Sequence, residues 1–324
     1  MTTRIAVVLC NLGGPDSLQA VRPFLYNLFS DPAILDVPLG ALARKPLAWL
    51  IAKRRTPTAA KGYAVLGGKS PLLENTQRQA AALAGALAGD GEFDVHVCMR
   101  YWHPRAAEVV ATLKQAGYAR VVLLPLYPQF SRTTTDSSHR EFLRECERAR
   151  FAPRIDVIRE WHDAPQYLDA VADSLRRELA CFPDPDPAHT EALLSAHGLP
   201  RKLADAGDPY ETQVRATYEA VCARLGWPRT TLCYQSRVGP LEWLGPYTED
   251  VIREKAAQGV KQMLVYPIAF VSDHSETLYE LGITYAEIAR EHGIAHYRVC
   301  PALNDDPGLI QALRQLVLGA TKQP

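Results

Sequence analysis

The sequence predicts an α/β protein of two similar Rossmann-like lobes, each a doubly wound, four-stranded parallel sheet, with a cleft between them. Three observations carry this expectation. Eight short runs rich in Val, Ile, Leu and Tyr punctuate the chain, and helical patterns separate most of them. The runs are continuously apolar rather than alternating, as in strands covered on both faces. The ends of the first three runs also recur, in order, at the ends of the fifth, sixth and seventh.

The runs of the first half are "RIAVVLCNL" from Arg4, "FDVHVCMRY" from Phe93, "RVVLLPLYP" from Arg120 and "RIDVIRE" from Arg154. Those of the second half are "EALLSAH" from Glu191, "TTLCYQS" from Thr230, "QMLVYPIAF" from Gln262 and "AHYRVCP" from Ala295. Between them, "LLENTQRQAAALAGAL" and "DPYETQVRATYEAVCARLG" have helical periodicity. The end "LCNLGGP" matches "LLSAHGLP", "RYWHP" matches "YQSRVGP", and "LLPLYPQFSR" matches "LVYPIAFVSD". A single eight-fold β/α barrel is the competing arrangement, but the matched ends favour two copies of one unit. The lobes are expected at residues 1–160 and 161–324, with the last helix packing back on the first lobe. The proline-rich "CFPDPDPAHTEA", Cys181 to Ala192, is a boundary signal.

The repeat exposes an insertion. Strands five and six start roughly forty residues apart, strands one and two roughly ninety. The excess, at about residues 20–75, is apolar, broken by prolines, and carries Lys53, Arg54 and Arg55. It reads either as a helical pair covering the first sheet or as a lip over a large apolar ligand, with cations for carboxylates at its edge. Such a lip would also suit contact with a membrane face.

Composition excludes several classes. Hydrophobic content of 47% and charged content of 22% are ordinary for a globular protein, and Lys plus Arg balances Asp plus Glu at 36 each. A general nucleic-acid binder needs a basic surface. No run of about 18 apolar residues spans a bilayer, and the N-terminus carries no secretory pattern, so the protein is expected in the cytoplasm. The seven cysteines include no CxxC pair, and Cys10, Cys98, Cys233 and Cys300 fall in strand-like runs, as buried thiols do.

Ligands of open parallel sheets bind beyond the carboxyl ends of strands, and the polar groups cluster there. Strand five delivers Ser195 and His197, strand seven Asp273, His274 and Glu276, strand two Arg100 and Tyr101, and strand three Tyr127 and Ser131. Each has a plainer role: His197 as a hydrogen-bonded core residue, Asp273 and Ser272 as helix caps, Glu276 as a complement to a helix dipole. Helical spacing puts Glu276, Glu280 and Thr284 near one face. HExxH, GxGxxG and GxSxG are all absent. Imidazole and carboxylates from matching ends of two strands suit proton relay or a loosely held divalent metal, and do not name a substrate.

Taken together, the strings go further. "LLSAHGLPRKLADAGDPY", "YQSRVGPLEWLGPYTED" and "PIAFVSDHSETLYELG" resemble consecutive signature blocks of the ferrochelatase family, and "NLGGPDS", "AKRRTP", "GGKSPL", "RYWHP" and "YPQFSRTTTDSS" resemble blocks of its N-terminal half. The resemblance spans nearly the whole chain in order. It implies an enzyme that inserts Fe2+ into protoporphyrin IX, releasing two protons and forming protohaem, the last step of haem biosynthesis. It implies the two-lobed fold and disfavours the barrel. By resemblance His197 and Glu276 are catalytic and contact the metal. Asp273, His274 and Glu280 line a proton or metal path. Leu12, Leu28, Phe29, Arg55, Tyr63, Ser70, Arg100, Tyr101, Tyr127, Ser131 and Trp243 fall on or near substrate-binding positions.

Such chemistry needs a base near the ring face, and an imidazole with a pKa of about 6.5 serves at neutral pH. It needs a buckled ring, a strain of ~1–5 kcal/mol offset by binding the periphery. It also needs few metal ligands, since three or four would hold the ion as a stable site. The chain departs from the family in two places. Many relatives have a third acid where Thr284 stands, and relatives acting on coproporphyrin have a tyrosine where Leu12 stands. The C-terminal "LVLGATKQP" lacks the cysteines of members with an iron–sulfur cluster, so no cluster or other cofactor is expected, and iron enters as a substrate. The expected partners are protoporphyrin IX and Fe2+, without nucleic acid, for a monomer that touches the inner membrane face through its lip. The alternatives are a two-lobed haem- or metal-binding protein without turnover, and a cobalt chelatase for another tetrapyrrole.

Overall fold

The computed structural model describes residues 4–38, 40–239 and 241–322; Pro240, which completes the "RVGP" match, and Leu39 of the insertion lie outside them. The chain divides into two compact units. One holds the described residues of 1–126, 131–159 and 313–324, the other residues 127–130 and 160–312.

In the first unit, strands β1 (Ile5–Asn11), β2 (Phe93–Met99), β3 (Arg120–Pro125) and β4 (Arg154–Val157) form an all-parallel sheet in the order β2-β1-β3-β4. In the second, β5 (Glu191–His197), β6 (Thr230–Gln235), β7 (Gln262–Pro267) and β8 (His296–Val299) repeat it as β6-β5-β7-β8. All eight expected strands are present. The proline-rich Cys181–Ala192 stretch lies within the second unit and leads from a helix (Pro165–Leu179) into β5.

The registers correspond residue by residue. Cys10 lies opposite Cys98 and Pro125, and Ser195 lies opposite Cys233 and Pro267. Past the strand ends, Leu126 donates its N–H to the Cys10 carbonyl at 2.8 Å, as Ile268 does to Ser195 at 3.0 Å. Met99 donates to Pro104 at 2.7 Å, as Tyr234 does to Pro246 at 2.9 Å. Leu12 therefore holds the place of His197, and Tyr101 that of Ser236. In each unit the connections leave the first and third strands in opposite directions, which opens a crevice at their carboxyl ends.

The insertion forms helices Val21–Phe29 and Ala41–Val65. The second runs through both Pro46 and Pro57, so the prolines do not break it as the sequence suggested. The pair does not cover the sheet face. Val21, Phe24, Leu25, Ala52 and Tyr63 pack with Tyr101, and with half-buried Leu12 and Trp102, around the carboxyl ends of β1 and β2. Buried Asp31, in the link between the two helices, receives the Arg100 guanidinium at 2.7 Å, the Tyr101 hydroxyl at 2.7 Å and the Ser137 hydroxyl. Breaking such a buried charged set leaves an uncompensated ion and costs several kcal/mol.

After β3 and again after β7 the chain winds with π-helical pitch, at Arg132–Asp136 and Glu276–Thr284, before continuing as α-helices Ser137–Ala149 and Tyr285–Glu291. The first of these helices buries His139, whose Nε2 has no hydrogen-bond partner. Leu281 stands as far beyond Pro267 as His139 beyond Pro125. Burial pushes the His139 imidazole down to about 4, against the pull of Asp136. The unfolded chain takes up this proton near pH 6.5 and the folded protein only near pH 4, so stability falls as pH drops through that window. His139→Leu should therefore lose about 2 kcal/mol less than the parent between roughly pH 7 and pH 4.5 in urea denaturation. Equal losses would contradict this.

Candidate active site

His197 ends β5 and Glu276 opens the π segment after β7, so the two strands flanking the crevice of the second unit each supply one group. His197 Nδ1 lies 2.8 Å from Glu276 Oε2, and the two side chains keep 39% and 30% of their surface exposed. A carboxylate only accepts, so Nδ1 carries the proton and the neutral ring keeps its lone pair on Nε2. Burial opposes a charge on His197, but the adjacent Glu276 carboxylate outweighs it and raises the imidazole pKa. For Glu276 burial pushes upward, and the His197 charge and hydrogen bond pull it below the usual carboxylate range.

The surroundings fix this pair. The Tyr210 hydroxyl donates to the His197 carbonyl at 3.0 Å. The Glu276 N–H donates to His274 Nδ1 at 3.1 Å, so the neutral His274 ring carries its proton on Nε2. Burial also lowers the His274 pKa. The rings of Trp243 and Phe270 stand edge-on to His197 at 6.4 and 6.2 Å. Gly198 makes room for this: a Cβ there would come within 2.9 Å of the Gln235 carbonyl and 3.1 Å of the Trp243 ring. Ser236, at φ 67°, donates its N–H to Glu280 Oε1 at 2.9 Å and its hydroxyl to Oε2 at 2.5 Å, and that hydroxyl lies 3.5 Å from Glu276 Oε2. Burial and the charge of Glu276 together raise the Glu280 pKa. Glu276 and Glu280 are thus brought together by Ser236.

Asp273 is committed elsewhere. Its oxygens accept from the Thr277 hydroxyl at 2.8 Å, the Ala302 N–H at 3.1 Å and the Asn304 amide at 2.7 Å. Ser195 also lies in the core, bonded to Gln235 and Thr248. Among the described residues no group of three or more His, Cys, Asp or Glu side chains is placed to hold a metal ion.

In the first unit, Arg100 pairs with Asp31 and Glu141, and Tyr101 is fully buried on Asp31. Tyr63 is buried in the insertion cluster, which Leu12, Leu28 and Phe29 flank half-buried, and the Arg55 guanidinium lies 5.6 Å over the Phe29 ring. Ser70 is buried against "NLGGP": its N–H reaches the Pro15 carbonyl at 2.8 Å, and a Cβ on Gly14 would sit 2.4 Å from its hydroxyl. The Ser131 hydroxyl caps the first π segment through Thr133 N at 3.2 Å, and Tyr127 is half-buried just past β3. Sequence reasoning missed Ser236 and Tyr285, whose hydroxyl donates to Glu280 at 2.8 Å. The equivalence of Ser236 with Tyr101 was a usable signal for the first; α-helical spacing offers none for a pair five residues apart.

An imidazole–carboxylate pair held at a switch-point crevice can move a proton, and among the described residues too few ligands meet there for a permanent metal, an arrangement that suits the chemistry of a metal chelatase. The chain belongs to the ferrochelatase family, whose profile matches residues 4–321. It is 48% identical to a ferrochelatase of Cyanothece sp., over 99% of this chain and 84% of that one. It is 49% identical to one of Thermosynechococcus vestitus, over 100% of this chain and 84% of that one. Among solved structures it resembles SirB from Bacillus subtilis with Fe3+, at a TM-score of 0.59 and 12% identity over 99% of this chain and 96% of that one, a likeness of fold.

If Glu276 sets the basicity of His197, Glu276→Gln should lower the His197 titration midpoint from its raised value, as followed by long-range 15N–1H correlation across pH. An unmoved midpoint would refute the pairing.

Proposed function

We propose that the protein inserts Fe2+ into protoporphyrin IX, with His197 as the base that removes the pyrrole protons. The observation that carries this is the 2.8 Å bond from His197 Nδ1 to Glu276, in a chain of the ferrochelatase family. Protoporphyrin with two N–H groups and Fe2+ give the iron porphyrin and two protons. The lone pair on Nε2 accepts a proton from the ring, and Glu276 stabilises the imidazolium that results. The proton then leaves through Glu276 and the Ser236 hydroxyl to Glu280, whose raised pKa suits it to accept. Asp273 and His274 shape the turn that presents Glu276. His197 and Glu276 also meet the iron, and two donors bind it weakly enough to surrender it to four ring nitrogens. The seven cysteines are free thiols, most of them buried.

On this reading Arg55 pairs with a propionate of the porphyrin, and Tyr63, Ser70, Leu12, Leu28 and Phe29 support or contact the macrocycle. Trp243 borders the ring beside His197. Arg100, Tyr101, Tyr127 and Ser131 follow the ends of β2 and β3.

No helix among the described residues is long and apolar enough to cross a membrane. The helix Ala41–Val65 leaves Leu42 (84%), Leu47, Trp49 and Leu50 exposed, with Arg22 and Lys53 stacked on Trp49 at 5.0 and 5.2 Å. We propose that this face rests on an anionic lipid surface, since apolar side chains ringed by cations suit the headgroup boundary. Flotation with phosphatidylserine vesicles should be lost in Trp49→Glu/Leu50→Glu, and undiminished flotation would dismiss the idea.

Protoporphyrin and Fe2+ mixed anaerobically with catalytic amounts of protein should give metalloporphyrin over many turnovers. A stoichiometric spectral shift that then stops would mark a binder instead. His197→Ala should slow insertion by about 10²–10⁴-fold while retaining porphyrin binding, and Arg55→Ala should mainly raise the porphyrin KM.

A further inference from the structure

Glu280 accepts three hydrogen bonds from two residues that the chemistry above does not require to touch substrate. The Ser236 N–H and the Tyr285 hydroxyl reach Oε1 at 2.9 and 2.8 Å, and the Ser236 hydroxyl reaches Oε2 at 2.5 Å. Glu280 and Tyr285 are five residues apart. On an α-helix of 3.6 residues per turn that separation points two side chains about 140° apart around the axis, so they do not meet. With i→i+5 winding they stack. The same two residues are also joined through the backbone, the Tyr285 N–H donating to the Glu280 carbonyl. The side-chain bond is therefore compatible with the π register and incompatible with the α register.

Ser236 supplies the other half of the contact. Its φ of 67° lies in the left-handed region, uncommon for a residue other than glycine and strained where the surroundings impose it. In that conformation both its donors reach one carboxylate. The hydroxyl also lies 3.5 Å from Glu276 Oε2, so the end of β6 is tied to the first and fifth residues of the π segment at once.

We propose that Ser236 and Tyr285 are positioning residues for metal insertion: by gripping Glu280 they hold Glu276–Thr284 in its π winding and so keep the Glu276 carboxylate on His197. Long π stretches are rare because the α register is ordinarily preferred, so this one needs partners that only its own geometry satisfies. Glu276 is its first residue, and rewinding toward α turns that residue relative to β5.

The kinetic part of this inference rests on the chelatase reading; the structural part does not. Tyr285→Phe keeps the ring in the core cluster it shares with Leu281 and Ala289 and removes only the hydroxyl. Ser236→Gly keeps the N–H bond, relieves the left-handed strain and removes the other hydroxyl. Crystal structures of both variants should show residues 276–285 shifted toward α winding, with His197 Nδ1 and Glu276 Oε2 beyond hydrogen-bond reach. In steady-state iron insertion kcat should fall roughly tenfold or more, the scale of one lost hydrogen bond, while the porphyrin KM stays put. The double variant should lose no more than the worse single one, because both act on one carboxylate. Retention of the π winding and of the 2.8 Å contact in both variants would overturn the proposal, as would an unchanged kcat with a raised KM. Should Tyr285→Phe fail to fold, the crystal structure of Ser236→Gly decides alone, because its hydroxyl also stands in the proton route and its kcat would fall in either case. A parent protein that makes no metalloporphyrin would sink the function and leave the structural comparison to judge the grip on Glu280.

Discussion

The hydrogen bond between His197 and Glu276 is the constraint on which the rest of the second unit converges. It joins groups 79 residues apart in the chain, so it exists only because β5 and β7 are parallel neighbours in a fixed register. Each partner is held again from behind, His197 through its carbonyl by Tyr210 and Glu276 through its N–H by His274. The electrostatic outcome follows from this geometry. Two half-buried groups that would each resist ionisation alone support one another, the acid staying ionised and the imidazole becoming more basic.

The same backbone is built twice and used differently. The strand order, the bond from the third strand to the first, and the π turn after the third strand recur in both units. Where the second unit places His197 and Ser236, the first places Leu12 and Tyr101, and its polar contacts turn inward to Asp31, Arg100 and Glu141. One copy thus presents reactive groups at its crevice. The other ties down an insertion whose apolar cluster surrounds the matching strand ends.

The parts legible in the sequence were those governed by local pattern. Continuous apolar runs located all eight strands, matched strand ends disclosed the repeat and the polar groups beyond it, and the family resemblance singled out His197 and Glu276 among them. What escaped depends on contacts made after folding. The π winding has no signature in an α-periodic reading, so Tyr285 was invisible although it meets Glu280. Asp273 looked like a member of an acidic path because its partners, Ala302 and Asn304, lie beyond β8. The prolines of Ala41–Val65 suggested breaks, yet the helix runs through both, although each removes one backbone donor and crowds the turn before it.

Determining the structure of the protein with metal-free protoporphyrin bound tests the central claim most directly. The account predicts His197 Nε2 within hydrogen-bonding reach of a pyrrole nitrogen, with Glu276 still on Nδ1. A bound porphyrin whose ring centre faces a different side chain, with His197 turned away from it, would contradict the account.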